Sequence, residues 1–314
     1  MSAPNTIDFR TKQFRAGSFF FTGLTGLATV LILAILAIIL TDVIVNGWRT
    51  LSWHFVSSIP TKDFFDRNTT GVLPMIIGTA SRVMVMTLFV LPVGVITAVY
   101  LTEYAPNSSV VTRIIRAAVN NLAGVPSIVF GLFGLGFFIN FVGKNLDAVL
   151  HNPTAVWGQP SIIWASLTLA VMTLPVVIVA TEEALKAVPQ GLREASLALG
   201  ATKLKTILKI VLPQAMPGIL TGGILAVSRA AGEVAPILFT GVAYYMGSLP
   251  QHLTDRFMDL GYHVFVLSTQ STNIEQTEPI LYATVLVLLL LTFALNLVAI
   301  FIRANMRRKM RSLH

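Results

Sequence analysis

Long apolar runs separated by short polar segments dominate the chain. A helix needs about 20 residues to cross the ~30 Å hydrocarbon core of a membrane, and six runs reach this length. They lie near 19–45, 71–102, 117–142, 160–181, 213–242 and 280–302. The pattern predicts an all-α polytopic membrane protein with six transmembrane helices. The first run is too long for the apolar part of a cleavable signal peptide, so we expect it to remain as a span.

The distribution of Lys and Arg predicts how the spans are oriented. With the N-terminus inside the cell, fifteen Lys and Arg residues flank the spans on the cytoplasmic side and five on the outer side. Cytoplasmic segments of membrane proteins carry such an excess. We therefore expect both termini and segment 182–212 to be cytoplasmic. The chain then divides into an N-terminal tail (1–17), a membrane domain (18–303) and a basic C-terminal tail (304–314).

Composition excludes several classes of function. Hydrophobic residues make up 54% of the chain and charged residues 11%, whereas a soluble globular protein has about 25% charged residues. The absence of cysteine excludes disulfides and thiolate metal sites. The five histidines lie scattered outside the long apolar runs, so we expect no metal site and no cofactor. The net charge of +8 follows from topology, and we expect no nucleic-acid partner.

Residues 194–213 form an amphipathic, basic segment between two spans, where a simple connection needs only a few residues. Its sequence is EASLALGATKLKTILKIVLP. Gly200 ends a first helical part, Thr202 can cap a second, and Pro213 is expected to open the next helix. From periodicity alone, the segment fits either an interfacial helix on lipid headgroups or a helix that docks onto a protein.

The spacing within this segment matches a known pattern. Glu, Ala and a small residue are followed by three residues, Gly, nine residues and Ile-x-Leu-Pro. The segment resembles the coupling loop of type I ABC importer permeases, with Ser196 where that family usually has Ala. The resemblance favours docking and implies that the helix sits in a cleft of a cytoplasmic ATPase. The predicted coupling residues are Arg193, Glu194, Ala195, Ser196, Gly200, Lys203 and Pro213.

Three charged residues lie within apparent spans, namely Arg82, Arg229 and Glu233. Each costs roughly 2.5 to 3.5 kcal/mol at a helix centre on insertion scales, so a functional role is the first hypothesis. In the fifth span, helical geometry places Arg229 and Glu233 inside an arc of small residues that is typical of close helix packing. We expect this pair to face the protein interior or a polar path. A structural ion pair and an interfacial position with snorkelling are the alternatives.

Further motifs narrow the resemblance. They are Pro126-Ser127-Ile128-Val129-x-Gly131, Ser228-Arg229-Ala230-Ala231-Gly232-Glu233 and Ala235-Pro236-Ile237-Leu238-Phe239-Thr240. Together with the coupling segment, the predicted loop of about residues 182–212, they resemble the PstA-type permease subunits of bacterial phosphate importers over essentially the whole chain. The resemblance implies inward transport of inorganic phosphate across the bacterial inner membrane. It also implies three partners: a cytoplasmic ATPase dimer, a second PstC-like permease chain and an extracytoplasmic phosphate-binding protein.

A guanidinium group suits a phosphate dianion in both charge and geometry. We therefore expect Arg82, Ser127, Arg229 and Glu233 to line the substrate path. The chain has no G-x-x-x-x-G-K-[ST] phosphate loop, so ATP hydrolysis is assigned to a partner. A single coupling segment and a two-fold ATPase dimer then require a second permease chain, and symmetry alone would permit a homodimer.

Three other functions are weighed against this one. An importer for another solute would keep the coupling segment without needing paired intramembrane arginines. A stand-alone ion-coupled transporter or channel would transport without any ATPase. An intramembrane enzyme is disfavoured, because the spans contain no His cluster and no Gly-x-Ser-x-Gly segment.

Overall fold

The structure is a computed structural model that describes residues 16–60, 70–106, 108–271 and 273–311. Within these ranges the regular elements are helices, and the only β-type pairing is one isolated bridge between Val242 and Phe257. The prediction of an all-α fold is confirmed.

Thirteen α-helices follow one another in the described ranges. They are α1 (Ala16–Trp48), α2 (Trp53–Ser57), α3 (Leu73–Val99), α4 (Val110–Leu122), α5 (Ser127–Phe133), α6 (Lys144–Val149), α7 (Ile162–Lys186), α8 (Gln190–Ala198), α9 (Lys203–Thr206), α10 (Leu212–Gly232), α11 (Ile237–Thr240), α12 (Leu260–Gln270) and α13 (Ile274–Arg311). Three π-helical segments extend or join them, at Tyr100–Tyr104, Gly134–Gly143 and Ile207–Val211.

Six helical stretches of the described chain are long and apolar enough to cross a membrane, as predicted. They are Phe20–Trp48, Leu73–Tyr104, Ser127–Val149, Ile162–Lys186, Lys203–Gly232 and Ile274–Met306. The basic C-terminal region is helical up to Arg311 as a continuation of the last stretch. Residues 1–15 and 312–314 of the predicted tails lie outside the described residues.

Two predicted spans have different bounds in the structure. The third begins at Ser127 instead of residue 117, because Pro126 disfavours helical backbone in the residue before it. The residues ahead of the break form the separate amphipathic helix α4. The fifth runs from Lys203 to Gly232: Pro213 lies in the first turn of α10, as predicted, but the π-helical segment Ile207–Val211 joins α10 to α9 in one continuous span. The π-helical turn just before this proline changes the hydrogen-bond register where its missing N–H would be needed.

Helix α7 is at the centre of the bundle and packs mainly against α3 and α10. It is buried along most of its length, whereas α1 lies at the periphery against α13 and is exposed along almost all of its length. The main hydrophobic core joins α3, α7 and α10 through buried residues such as Met86, Leu169 and Ala226. The helices thus form a tight centre with a loosely attached first span.

The stripe of small residues predicted on the fifth span is a packing surface, as expected. A Cβ added at Gly218 would lie 2.5 Å from the Cβ of Ala184, and one at Gly222 would lie 2.5 Å from the Cβ of Ala180. Helix α10 therefore approaches α7 as closely as backbone packing allows.

The bundle has two ends, which we name by the helices found there. The α8 end brings together the π-helical Tyr100–Tyr104 after α3, the C-terminus of α7, and α8. The α12 end brings together the starts of α3 and α12 and the C-terminus of α10. Since α3 and α7 each run from the α12 end to the α8 end, both connect the two ends directly.

Candidate functional site

Gly200 ends α8 in a Schellman motif. Its φ of 81° lies in the left-handed region, and its N–H donates to the Leu197 carbonyl at 2.9 Å. The N–H of Ala201 reaches back to the Ser196 carbonyl at 3.2 Å. This is the hydrogen-bond pattern in which glycine is favoured because it has no Cβ. The predicted break at Gly200 is confirmed, and its cause is backbone conformation.

Two hydroxyl contacts fix α9 relative to α8. The side chain of Thr202 accepts from the Lys205 N–H at 3.3 Å and caps α9, as predicted. The hydroxyls of Ser196 and Thr206 are hydrogen-bonded at 2.8 Å, and both residues are buried. The position at which Ser196 replaces the usual alanine is therefore used to join the two short helices.

Arg193 points back into the bundle. Its guanidinium pairs with the Glu103 carboxylate at 2.9 Å, and the two side chains are only 13% and 10% exposed. It also donates to the carbonyls of Leu185 and Val188, at 2.7 Å and 2.6 Å. Arg193 thus links α8 to the end of the second span and to the C-terminus of α7. It is a connecting residue on the inner face of the coupling segment.

The outer face of the same segment is apolar and accessible. Its exposed leucines are Leu197, Leu199, Leu204 and Leu208, of which Leu199 is 90% exposed. Glu194 and Ala195 are also exposed on α8. The ammonium of Lys203 lies 4.9 Å from the centre of the Tyr104 ring, a cation–π contact. A cavity of about 650 Å³ adjoins this segment, between α8 and the end of the second span.

A second ionic link at the α8 end involves α4. Arg116 donates to the Glu182 carboxylate at 3.1 Å and to the Leu101 carbonyl at 2.8 Å. Lys186 pairs with the same carboxylate at 3.3 Å. The amphipathic helix α4 is therefore tied to α7 and to the second span beside the coupling segment.

The structure corrects the expected arrangement of Arg229 and Glu233. Helix α10 ends at Gly232, so Glu233 is the C-cap residue with extended backbone and does not belong to the helix. The Arg229 Nε and Glu233 Oε1 atoms lie 3.5 Å apart, with the side chains 46% and 21% exposed. Arg229 is therefore not on the buried face that packs against α7. The pair is accessible at the α12 end of the chain.

Arg82 is in a different environment from Arg229. Its side chain is fully buried, and its Nε donates to Asp259 Oδ2 at 2.6 Å. Its two terminal nitrogens donate to the carbonyls of Ala230 and Ala231, at 2.7 Å and 3.0 Å. Arg82 thus joins α3, the C-terminus of α10 and the start of α12.

Ser127 begins α5 and is partly buried. Within the described ranges, no hydrogen bond joins Ser127 to Arg82, Arg229 or Glu233, and the two arginines pair with different carboxylates. Ser228, the residue before Arg229 on α10, donates a hydrogen bond to Asn296 of α13 at 3.0 Å.

Sequence reasoning missed Glu103 and Asp259. Each is the carboxylate partner of an arginine that the sequence analysis did single out. A buried arginine needs such a partner, but nothing in the sequence shows which of the 14 acidic residues supplies it. One local signal was present for Asp259: aspartate directly before an apolar helical run is a favoured N-cap.

Comparison with known proteins identifies the family. Residues 90–312 match the family described as "Binding-protein-dependent transport system inner membrane component". The "Phosphate transport system permease protein PstA 1" of Mycobacterium tuberculosis strain H37Rv is 34% identical over 316 residues, which cover 98% of this chain and 93% of that protein. The "Probable ABC transporter permease protein YqgI" of Bacillus subtilis strain 168 is 33% identical over 219 residues, covering 70% of this chain and 68% of that protein.

A solved structure has the same architecture. A chain of a bacterial alginate ABC transporter, in complex with an alginate pentasaccharide-bound periplasmic protein, superposes with a TM-score of 0.60. The match covers 94% of this chain and 96% of that chain at 13% identity, so it concerns the fold alone. The chain belongs to the family of binding-protein-dependent transport system inner membrane components and is a multi-pass permease subunit of an ABC importer.

Proposed function

We propose that this permease subunit carries inorganic phosphate into the cytoplasm, with ATP hydrolysed by partner subunits. The observation that carries the proposal is the accessible pair of Arg229 and Glu233 at the end of the fifth span. A dianion in a low-dielectric path needs fixed positive charge and hydrogen-bond donors, and a guanidinium supplies both. The 3.5 Å separation leaves Arg229 less firmly engaged than Arg82, which holds three acceptors at 2.6 to 3.0 Å.

Glu233 has a defined part in this mechanism. A lone arginine beside the path would hold a phosphate dianion tightly and slow its departure. A carboxylate 3.5 Å away competes with the anion for the guanidinium and so weakens the binding of phosphate to Arg229. The pair therefore allows binding that is favourable yet reversible, as transport requires.

The coupling segment supplies the connection to ATP. Its exposed leucines and Glu194 form a surface suited to a protein cleft, and Arg193 ties that surface to the second and fourth spans. We place this surface in the cytoplasm, together with both termini, on the strength of the Lys and Arg distribution. An ATPase dimer that displaces α8 would then move α3 and α7 with it.

The remaining partners follow from the same topology. A two-fold ATPase dimer presents two clefts, so a second, PstC-like permease chain is included in the assembly. The α12 end then faces outward and receives an extracytoplasmic phosphate-binding protein. The name of the 34% identical Mycobacterium tuberculosis relative supports phosphate as the solute.

The test uses the assembled complex in vesicles and measures uptake of radiolabelled phosphate driven by internal ATP. Excess unlabelled phosphate should abolish the signal, and excess sulfate should not. Arg229→Gln and Glu233→Gln should each reduce uptake at normal assembly. Replacing both distinguishes the two roles of the pair, because a purely structural ion pair can be exchanged for neutral residues with little loss. Near-normal uptake by the double variant would contradict the mechanism. Uptake of a different solute by the parent complex, without uptake of phosphate, would contradict phosphate as the substrate.

A further inference from the structure

Arg82 replaces the usual cap at the C-terminus of α10. The last carbonyls of a helix have no partner within the helix and are ordinarily satisfied by water or by a cap. Here the carbonyls of Ala230 and Ala231 accept from the two terminal nitrogens of Arg82. A side chain from α3 therefore caps the C-terminus of α10.

The geometry of the neighbouring pair depends on that end point. Glu233 follows directly with φ −77° and ψ 128°, and its N–H donates to the same Ala230 carbonyl at 3.2 Å. Arg229 lies one residue before the first carbonyl that Arg82 holds. Any shift of these carbonyls changes the distance between Arg229 and Glu233.

Asp259 holds Arg82 in place through a connected network. One carboxylate oxygen accepts from Arg82 and from the Thr79 hydroxyl, at 2.6 Å and 2.8 Å. The other oxygen accepts from the Tyr262 N–H at 3.1 Å and caps α12. The Thr79 hydroxyl in turn accepts from the Leu260 N–H at 3.0 Å. Three of these four hydrogen bonds join α3 to the start of α12, and the fourth caps α12 itself.

The network is closed to an anion. The side chains of Arg82 and Asp259 have no exposed surface. A Cβ added at Gly78 would clash with the Met258 carbonyl oxygen, so the backbone before α12 lies directly on α3. Phosphate entering here would also meet the Asp259 carboxylate.

We propose that Arg82 and Asp259 are positioning residues, which place Arg229 and Glu233 for anion transfer without contacting the anion. This replaces the expectation that Arg82 itself lines the path. The inference rests on the proposed function only in naming the anion. The placement of the α10 end is a property of the chain whatever solute it carries.

The test removes the network without leaving a buried charge. Asp259→Asn alone strands Arg82, which should lower the amount of assembled complex. The double variant Arg82→Met with Asp259→Asn removes both charges and retains an N-cap residue for α12. We expect it to assemble and to hydrolyse ATP near the parental rate, with phosphate uptake per ATP hydrolysed reduced about tenfold or more because Arg229 is misplaced.

Hydrogen–deuterium exchange of peptides covering residues 230–236 provides a readout that requires no phosphate. We expect faster exchange there in the double variant than in the parent, because the carbonyls that define the helix end lose their donors. Unchanged exchange, or a parental ratio of uptake to ATP hydrolysis, would overturn the proposal. If the parent moves no phosphate, the proposed function fails, while the exchange measurement still tests the positioning role.

Two further variants complete the design. Tyr282→Phe removes the 2.9 Å hydrogen bond to Asp42 between α13 and α1, and should leave both readouts at parental values. Arg82→Lys keeps the charge beside Asp259 but lacks the planar fork that reaches both α10 carbonyls. The Arg82→Lys variant should assemble even if the double variant does not. Its phosphate uptake per ATP hydrolysed should lie between the parental value and that of the double variant. A parental ratio from Arg82→Lys would also overturn the proposal.

Discussion

Replacing Gly200 by alanine tests whether the coupling segment depends on backbone conformation. No atom lies within 4 Å of a Cβ built at this position, so the substitution meets no steric obstacle. Its cost comes from the φ of 81° alone. A residue with a Cβ in the left-handed region costs roughly 1 to 2 kcal/mol, which corresponds to a shift of about 5- to 30-fold in the local equilibrium.

The expected result is a partial loss of ATPase binding with the spans intact. Losing the Schellman motif should move α9 away from α8, and with it the exposed leucines of the proposed docking surface. The larger, β-branched valine should have a greater effect than alanine. The assay measures the ATPase that co-purifies with the permease, together with phosphate uptake, both normalised to permease in the membrane.

Gly191 offers a matched control in the same segment. A Cβ there also has nothing within 4 Å, but the residue lies inside α8 with ordinary helical backbone. Gly191→Ala should therefore retain or improve function, since alanine favours a helix by about 1 kcal/mol over glycine. Parental ATPase association and uptake in Gly200→Val, or in Glu194→Lys, would refute the coupling role of the segment.

Two further predictions concern topology and the inner face of α8. In intact cells, a cysteine in place of Lys205 should be protected from an impermeant thiol reagent, and one in place of Arg67, which lies outside the described residues, should react. The reverse labelling pattern would show that the predicted topology is inverted. Arg193→Met should destabilise the α8 end by about 1 to 3 kcal/mol because it leaves the partly buried Glu103 carboxylate without its donor. Adding Glu103→Gln should restore much of the lost stability, as measured by the thermal midpoint of the purified complex. If the losses in stability from the two single changes simply add in the double variant, the two side chains are not coupled.

The sequence predicted the helices of this fold better than the contacts between them. Apolar run length predicted the six spans, and the break at Gly200 followed from local backbone chemistry. Both are properties of adjacent residues. The partner of Arg82 lies 177 residues away, and periodicity carries no information about such contacts.

The bounds of the fifth span show a second limit. Proline is common in the first turn of a helix, so Pro213 was expected to begin one. Pro213 does lie in the first turn of α10, but a π-helical turn directly before it joins α10 to α9, so the span begins at Lys203. This adjustment depends on the packing of both neighbours. The end of α10 before Glu233 likewise involves a residue on another span, because Arg82 donates to the Ala230 carbonyl.

The buried pair of Arg82 and Asp259 also has a consequence for biogenesis. The ribosome adds about 5 to 20 residues per second, so the 177 residues between the two take about 9 to 35 s to synthesise. During that interval α3 enters the bilayer with a charge whose counterion does not yet exist. Arg82 lies nine residues after Leu73, roughly 14 Å from the start of the helix, within reach of the headgroups by snorkelling. The buried pairing of Arg82 with Asp259 can form only after the chain leading into α12 has been synthesised, so the final position of an early helix depends on a segment made late.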